Sequence, residues 1–378
     1  MTAPTSDLTR RALARLRPDV QSMHAYAVQD STGMLKLDAM ENPHRLSPEL
    51  QAELGRRLGA VAINRYPGAR VDELKAALQR HAAPPTGWSL MLGNGSDELI
   101  SLLAMACDIP GASIVAPVPG FVMYAMSAQL QGLAFHGVPL TADFALDEAA
   151  MVAAIAQHQP AILYLAYPNN PTGTLWNAGV IERLVAAQGA QGGLVVMDEA
   201  YQPFATRSWI DHVRAAPEQH GHVLIMRTLS KFGLAGVRIG YMLGDAALIA
   251  EIDKVRPPYN ISVLNAECAL FALENEAVFA AQAQDIRAQR ASLFEALAQL
   301  PGVRAYPSEG NMILVRITAQ GGRADDQAAA RVFDGMKARG VLIKNVSKMH
   351  PLLDNCVRLT VGTADENAQM LAALEASL

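Results

Sequence analysis

From about residue 90 onward, the chain alternates short apolar runs with stretches of helical pattern, and polar side chains follow the apolar runs. Four runs have the length and composition of buried strands: ASIVAPV (112–118), AILYLAYP (161–168), LVVMDEAY (194–201) and HVLIMRTLSK (222–231). Buried strands that alternate with helices predict an α/β domain with a mostly parallel central sheet flanked by helices. In such a sheet, ligands bind beyond the carboxyl ends of the strands, which is where the polar residues fall.

The last third of the chain has a different pattern. Three short strands are predicted there, at NMILVRI (311–317), GVLIKNV (340–346) and CVRLTVG (356–362), with helix-like segments between them. This arrangement predicts a smaller α+β domain. Thr363 followed by Glu366 fits a capping box that opens a final helix. The Ala-rich stretch from about 262 to 300 predicts a helix that joins the two domains.

The length supports two domains and the composition excludes several classes of protein. With 378 residues and 51% hydrophobic content, the chain can bury a large core and exceeds one typical compact domain. We place a large domain at residues 45–265 and assign residues 1–44 and 266–378 to an N-terminal arm and the small domain. A net charge of -5 argues against nucleic acid as a partner.

Neither metal binding nor membrane association is indicated. The three cysteines are far apart, and no Cys/His spacing typical of zinc sites is present. The first residues contain no long apolar run, so we expect neither a signal peptide nor a membrane span. We therefore expect a location in the reducing cytoplasm.

The strongest candidate for chemistry is Lys231, in RTLSKFGLAGVRIGY. A lysine directly after a strand, followed by small residues, lies on a tight turn at the edge of a cleft. Taken alone it is compatible with an ordinary surface lysine. Burial or a neighbouring cation lowers the pKa of a lysine amine and makes it a nucleophile for carbonyl groups. Arg238, seven residues later, offers such a cation, and its guanidinium also suits a phosphate.

Asp198 and Tyr201 lie at the end of another predicted strand, in VVMDEAY. A buried aspartate that faces a cationic ring nitrogen stays ionised and keeps that nitrogen protonated. A protonated pyridine ring is an electron sink for carbanion chemistry. The alternatives are a strand-end aspartate that caps a turn and a half-buried tyrosine.

Three further segments add weaker candidates. Asn170, in the turn YPNNPTG, can donate to a phenolate oxygen, although asparagine also favours turns for their own sake. In GNGSDELI (93–100), we expect Ser96 to cap a helix whose free N–H groups can bind phosphate, with Asp97 in its first turn. A capped helix without a ligand is equally compatible. Phe121, in PVPGFVMY, is either a core aromatic or a ring that stacks on a planar cofactor.

Taken together, these blocks resemble the fold-type I pyridoxal-phosphate-dependent aminotransferases. The order GNGSDE, PGFVMY, NNPTG, DEAY, SK and then arginine is similar to that family across nearly the whole chain. The branch that the chain most resembles is that of the histidinol-phosphate aminotransferases. LDAMENP (37–43), RYPG (65–68) and CVRLTVGT (356–363) are similar to three blocks of that branch.

The resemblance implies a role for each matched residue. Lys231 would form the Schiff base with pyridoxal 5′-phosphate and shuttle the proton, and Asp198 would pair with the ring nitrogen. The other implied cofactor contacts are Asn170 and Tyr201 at the phenolic oxygen, Phe121 on the ring face, and Ser96, Asp97, Ser230 and Arg238 at the phosphate. Tyr66 would reach that phosphate from the neighbouring subunit of a homodimer. The implied substrate residues are Arg358, for the anionic end, with Asn170 and Tyr26.

Two departures from the family pattern concern loops. The segment between the lysine and the following arginine is one residue shorter than in some relatives. Some histidinol-phosphate aminotransferases carry a second arginine upstream of the C-terminal one, where this chain reads KNVSKMHP. Ser347 or Lys348 falls near that position, and we expect Lys348 to bind phosphate as a point charge.

The resemblance implies an enzyme that moves an amino group between L-histidinol phosphate and 2-oxoglutarate in histidine biosynthesis. An aromatic amino-acid aminotransferase and a threonine-phosphate decarboxylase remain open, because they need the same cofactor contacts. A non-catalytic ligand-sensing domain is a further alternative, but it would need an attached DNA-binding module. A dinucleotide dehydrogenase is disfavoured because no complete GxGxxG is present.

Overall fold

The computed structural model describes residues 6–23, 29–318 and 327–378. The chain divides into two compact units, residues 1–33 and residues 34–378. In the first unit, two short helices are described, and none of their residues is buried. Tyr26 lies outside the described residues, so its predicted role is not addressed by the structure.

The strands, in chain order, are β1 (Leu35–Lys36), β2 (Trp88–Gly93), β3 (Ser113–Val118), β4 (Ala134–Pro139), β5 (Ile162–Ala166), β6 (Leu194–Asp198), β7 (Val223–Thr228), β8 (Gly240–Asp245), β9 (Val303–Ala305), β10 (Met312–Ile317), β11 (Val341–Leu342), β12 (Lys344–Asn345) and β13 (Cys356–Thr360).

The α-helices, in chain order, are α1 (Asp7–Leu13), α2 (Pro18–Ser22), α3 (Pro48–Gly59), α4 (Ala69–Ala82), α5 (Ser96–Ala106), α6 (Met123–Gln131), α7 (Glu148–His158), α8 (Ala178–Ala190), α9 (Ile210–Ala215), α10 (Ala246–Ile252), α11 (Val263–Glu274), α12 (Glu276–Ala298), α13 (Ala328–Ala338) and α14 (Ala364–Glu375). The predicted capping box of α14, formed by Thr363 and Glu366, is confirmed.

A seven-stranded sheet forms the centre of the second unit, in the order β2-β8-β7-β6-β5-β3-β4. Strands β3 to β7 pair in parallel, whereas β8 is antiparallel to both of its neighbours. Alternate residues of the strands enter two different apolar clusters, one on each face, and both clusters include helix residues. The predicted α/β domain with a mostly parallel sheet flanked by helices is therefore confirmed.

The C-terminal third builds a four-stranded antiparallel sheet in the order β12-β13-β10-β9, with its own apolar cluster. Two sequence predictions were wrong here. The stretch 340–346 is not one strand, because β11 pairs with β1 while β12 pairs with β13. The stretch 262–300 is not one helix, because Asn275 (φ -108°, ψ 30°) separates α11 from α12. The domain boundaries at 44/45 and 265/266 stay predictions.

The sheet topology brings the sequence motifs together. The carboxyl ends of β2, β3, β5, β6 and β7 lie at one edge of the sheet because these strands point the same way. The antiparallel β8 begins at this edge, so the residues just before Gly240 lie there too. A binding site at this edge is therefore built from turns that follow strands, as expected for this class of sheet.

Candidate active site

Lys231 lies in the helical turn Ser230–Leu234 that directly follows β7. Its amine donates a 2.8 Å hydrogen bond to the carbonyl oxygen of Ala39 and lies 5.8 Å from the centre of the Tyr201 ring. Burial, aided by the positive charge of Arg358, lowers the pKa of the Lys231 amine to about 8. About a tenth of this amine is therefore uncharged and nucleophilic at pH 7, far more than for a lysine of ordinary pKa.

Asp198 is the last residue of β6 and only 5% exposed. Its carboxylate accepts hydrogen bonds from the Tyr124 hydroxyl (2.6 Å) and from the backbone N–H of Ala200 (3.0 Å). Burial raises the pKa of the Asp198 carboxyl to about 6, although both hydrogen bonds act to lower it. Both donors are neutral, so the site holds a buried carboxylate suited to a cationic ligand atom such as a protonated ring nitrogen.

Tyr124 is a site residue that the sequence reasoning missed. It lies in the first turn of α6, is fully enclosed, and stacks on Tyr164 with ring centres 4.2 Å apart. Phe121, three residues earlier, meets Tyr124 edge to face at 5.7 Å. The available signal was the tyrosine that ends PVPGFVMY, one helical turn after the predicted stacking ring. The arrangement brings Phe121 into the neighbourhood of Asp198.

Arg358, on β13, reaches across from the small sheet to the large one. Its guanidinium donates to the side-chain oxygen of Asn170 and to the carbonyl oxygen of Asp38, at 2.7 Å in both cases. Because the Asn170 oxygen is engaged by a guanidinium, the amide nitrogen of Asn170 remains available as a donor. Burial raises the pKa of the nearby Tyr201 phenol, so its hydroxyl is neutral and can also donate.

A cluster suited to phosphate lies where α5 begins. Arg238 donates to the Ser230 hydroxyl at 3.3 Å and to the Asp97 carboxylate at 3.4 Å. A methyl group added to Gly95, whose φ is +85°, would come within 2.5 Å of the Arg238 guanidinium. The positive φ favours glycine here, and any side chain at residue 95 would also push the guanidinium away. Helix N-terminal N–H groups, a hydroxyl and a guanidinium together fit a phosphate group.

Ser96 does not cap α5, contrary to prediction. Gly95 occupies the N-cap position and Ser96 is the first helical residue, because the left-handed backbone of Gly95 turns the chain into the helix. Ser96 and Asp97 thus contribute the first turn of α5 rather than the residue before it. Their expected contact with a phosphate stays a prediction.

The strand register distinguishes Lys344 from Lys348 as candidates for a second cation beside Arg358. Lys344, on β12, is the direct cross-strand partner of Arg358, so both side chains lie on the same face of the small sheet. Lys348 lies beyond the end of β12 and is exposed, and Ser347 donates to the carbonyl oxygen of Cys356. This geometry does not support Lys348 as the second cation and favours Lys344 instead. A lysine inside the apolar run GVLIKNV was the signal available in the sequence.

Tyr66 is not part of the cluster that the chain forms by itself. It is 79% exposed and stacks on Tyr259, with ring centres 4.5 Å apart. A contribution of Tyr66 to the site of a neighbouring subunit stays a prediction. Among the described residues, no group of three or more metal-ligating side chains could hold a metal ion, and no helix is long and apolar enough to cross a membrane.

Comparison with known proteins identifies the family. The family model for aminotransferases of class I and II matches residues 32–374. A histidinol-phosphate aminotransferase of Polaromonas naphthalenivorans (strain CJ2) is 67% identical over 378 residues, covering all of both chains. One from Acidovorax sp. (strain JS42) is 65% identical over 379 residues, again covering all of both chains.

A solved structure shows the same architecture. The histidinol-phosphate aminotransferase of Sinorhizobium meliloti, in complex with pyridoxal-5′-phosphate, superimposes with a TM-score of 0.81. The two sequences are 25% identical, and the match covers 96% of this chain and 97% of the other. With a half-buried lysine and a buried carboxylate at neighbouring strand ends, and a family model that spans nearly the whole sequence, this chain belongs to the class I and II aminotransferases.

Proposed function

We propose that this protein transfers the amino group of L-histidinol phosphate to 2-oxoglutarate, giving imidazole-acetol phosphate and glutamate, as a step of histidine biosynthesis. The observation that carries the proposal is the placement of Lys231 and Asp198, a half-buried amine and a buried carboxylate of shifted pKa, at the ends of adjacent strands. Full-length relatives that are 65–67% identical and named for this activity support the choice of substrate. Such a biosynthetic role would place the protein in the cytoplasm.

The cofactor is pyridoxal 5′-phosphate, and the residues of the site fit its parts. Asp198 lacks an ion-pair partner among the described residues, and a protonated ring nitrogen would supply one. Arg238 and Ser230, with the start of α5, would hold the phosphate. Asn170 and Tyr201 would donate to the phenolic oxygen, while Phe121 would cover one face of the ring.

When bound, the cofactor supplies an aldehyde that links to amines and a ring that accepts the electron pair left by a departing proton. The amine of Lys231 would be the attachment point. Once the amino donor has displaced it, this amine would take the α-proton of the donor and return it one atom further along. An amine with a pKa of about 8 suits both directions, because it binds and releases a proton easily near neutral pH. Asp198 would hold the proton on the ring nitrogen throughout.

Arg358 would bind the anionic end of either substrate, because a guanidinium accommodates a phosphate and a carboxylate alike. Lys344, on the same face of the small sheet, would add a second positive charge. Phosphate carries more negative charge than carboxylate, so the second cation favours the phosphate ester. This pair would allow one site to serve both half-reactions while preferring histidinol phosphate over an amino acid of the same size.

The test is an assay on the purified protein that compares histidinol phosphate, phenylalanine and tyrosine as amino donors to 2-oxoglutarate, with carbon dioxide release measured on threonine phosphate. We expect the highest kcat/KM for histidinol phosphate and no carbon dioxide. A higher kcat/KM for the aromatic amino acids would replace the proposed substrate. Release of carbon dioxide without amino transfer would replace the proposed reaction.

We further propose that the active protein is a homodimer, with Tyr66 completing the site of the second copy. Tyr66 and Tyr259, which stack on each other, expose 79% and 56% of their surface, and Ile63, three residues before Tyr66, exposes 73%. Such exposure of large apolar side chains is typical of an interaction surface. Sedimentation should give a dimer, and Tyr66→Phe should weaken cofactor binding about tenfold through the loss of one hydrogen bond to a charged group. A fully active monomer would contradict the proposal.

A further inference from the structure

Asp198 has a second buried carboxylate as its neighbour in sequence. Successive side chains of a strand point to opposite faces of the sheet. Asp198 accordingly contacts Tyr124 on one face, whereas Glu199 contacts the backbone of Trp209 on the other. Glu199 is 1% exposed, so its charge is as deeply buried as that of Asp198.

Unlike Asp198, Glu199 is fully paired. Its partner is Arg227 of β7, whose Nε and Nη2 atoms lie 2.9 and 2.8 Å from one carboxylate oxygen of Glu199. The Ser208 hydroxyl lies 2.8 and 3.0 Å from the two oxygens, and the Trp209 N–H donates at 2.5 Å. Arg227 also donates to the Ser208 hydroxyl at 2.9 Å. The pair thus links β6, β7 and the turn before α9.

Burying an ion pair does not by itself stabilise a fold, because desolvation offsets the attraction, and apolar replacements are often neutral or stabilising. The location of this pair indicates another role. Glu199 follows Asp198 directly, and Arg227 lies four residues before Lys231. Between them, the backbone N–H of Glu199 donates to the carbonyl oxygen of Met226 at 2.8 Å, which continues the strand ladder. The pair therefore joins the two strand ends that carry Asp198 and Lys231.

We propose that Glu199 and Arg227 form a positioning pair, which fixes the separation between Asp198 and Lys231 from the opposite face of the sheet. The inference rests on the proposed function for those two residues. Glu199 and Arg227 cannot touch the cofactor, because the sheet lies between them and the Asp198 carboxylate. They would act on the reaction only by fixing the backbone positions of Asp198 and Lys231. A misplacement of about 1 Å at a reacting centre can cost about 10²-fold in rate.

The decisive experiment uses the double variant Glu199→Leu/Arg227→Met, which replaces the ion pair with apolar side chains of similar volume. If the pair is a positioning device, the variant folds and binds cofactor, but its kcat falls about 30-fold while KM changes less than about threefold. The circular dichroism of the bound cofactor, which reports its orientation, should also change. A folded double variant with the kcat and the cofactor signal of the wild type would overturn the proposal.

A second variant, Arg227→Lys, keeps the charge but loses the two-nitrogen contact. We expect its kcat to fall about tenfold and its cofactor signal to shift. The matched control is Arg183→Lys, in the exposed pair with Glu148, which should leave both readouts unchanged. If the double variant does not fold, a wild-type kcat and signal for Arg227→Lys refute the proposal.

The two proposals fail in different ways. Should the wild-type protein prefer another amino donor, the cofactor signal still reports the effect of the ion pair. Should the wild-type protein take up no pyridoxal phosphate, the proposed function fails before the pair is tested.

Discussion

The two sheets that meet at the site provide different kinds of groups. The seven-stranded sheet presents Lys231 and Asp198, whose pKa values are moved towards neutrality by burial. The four-stranded sheet presents two cations, Arg358 and Lys344, as direct cross-strand partners. The first sheet thus supplies groups that control protons, Lys231 by carrying one and Asp198 by keeping one on the ring nitrogen, and the second supplies groups that hold a fixed charge. The difference indicates that chemistry and substrate selection can be altered separately, which mutations can test.

The largest expected effect is on the sheet that controls protons. Lys231→Ala should lower kcat about 10⁴-fold for every amino donor, because it removes both the attachment point and the proton shuttle. Borohydride reduction followed by mass spectrometry should show a cofactor-sized mass increase on the peptide with residue 231 in the wild type and none in the variant. A variant that kept its turnover would remove Lys231 from the mechanism.

Asp198→Asn should lower kcat about 10²–10³-fold, the size of effect seen when one preorganised electrostatic contact is removed from an active site. The ring nitrogen would lose the carboxylate that keeps it protonated. The decrease should be equal for histidinol phosphate and glutamate, because the cofactor serves both half-reactions. A decrease confined to one donor would mean that Asp198 contacts substrate. Chemistry and substrate selection would then not be divided between the two sheets.

The same variant should behave differently in the cofactor-free protein. Burial raises the pKa of Asp198 from 3.8 to about 6, so the folded state favours the protonated carboxyl. This contribution to the free energy of unfolding is fully present below pH 4 and is lost as pH rises through 6. Above pH 6, the ionised carboxylate costs roughly 3 kcal/mol, calculated at about 1.4 kcal/mol for each pH unit of the shift. The neutral amide introduced by Asp198→Asn carries no such cost. Chemical denaturation at pH 4 and pH 8 should show the variant gaining stability over the wild type only at pH 8.

The smallest effect should come from the fixed-charge side. Lys344→Ala should raise KM for histidinol phosphate about tenfold, the size expected for one charged hydrogen bond, and should leave kcat unchanged. The KM for glutamate should change less. Lys348→Ala is the matched control, since Lys348 is exposed and lies beyond β12. If Lys348→Ala raised KM and Lys344→Ala did not, the strand register would be the wrong guide to the substrate site.

The two sheets also differ in how well they could be predicted. Asp198 ends a buried strand, Lys231 and Asn170 come shortly after two others, and parallel strands bring such residues to one edge whatever the details of packing. Lys344 depends on pairing between β12 and β13, and β12 is only two residues long. The sequence pattern merged β11 and β12 into one strand, although Ile343 between them separates pairings to two different sheets.

Inside the large sheet, the residues that escaped prediction were those whose roles depend on contacts between distant segments. Tyr124 and Asp198 are 74 residues apart and meet only once α6 packs on the sheet. Glu199 and Arg227 likewise become a pair through strand order, which the apolar runs alone do not specify. Turn chemistry accounts for the N-cap of α5, where the positive φ of Gly95 outweighed the usual preference for serine.

The acceptors for the two central cations have an evolutionary consequence. Lys231 and Arg358 both donate to main-chain oxygens, those of Ala39 and Asp38, which every amino acid possesses. A substitution at residue 38 or 39 therefore leaves both acceptors in place. The vulnerable point is the left-handed backbone of Met40 (φ 51°), which is tethered through its N–H to Thr360 and through its carbonyl to Asn311. During evolution, residues 38 and 39 can therefore change more freely than Thr360 and Asn311, whose side chains hold the backbone of Met40 in place.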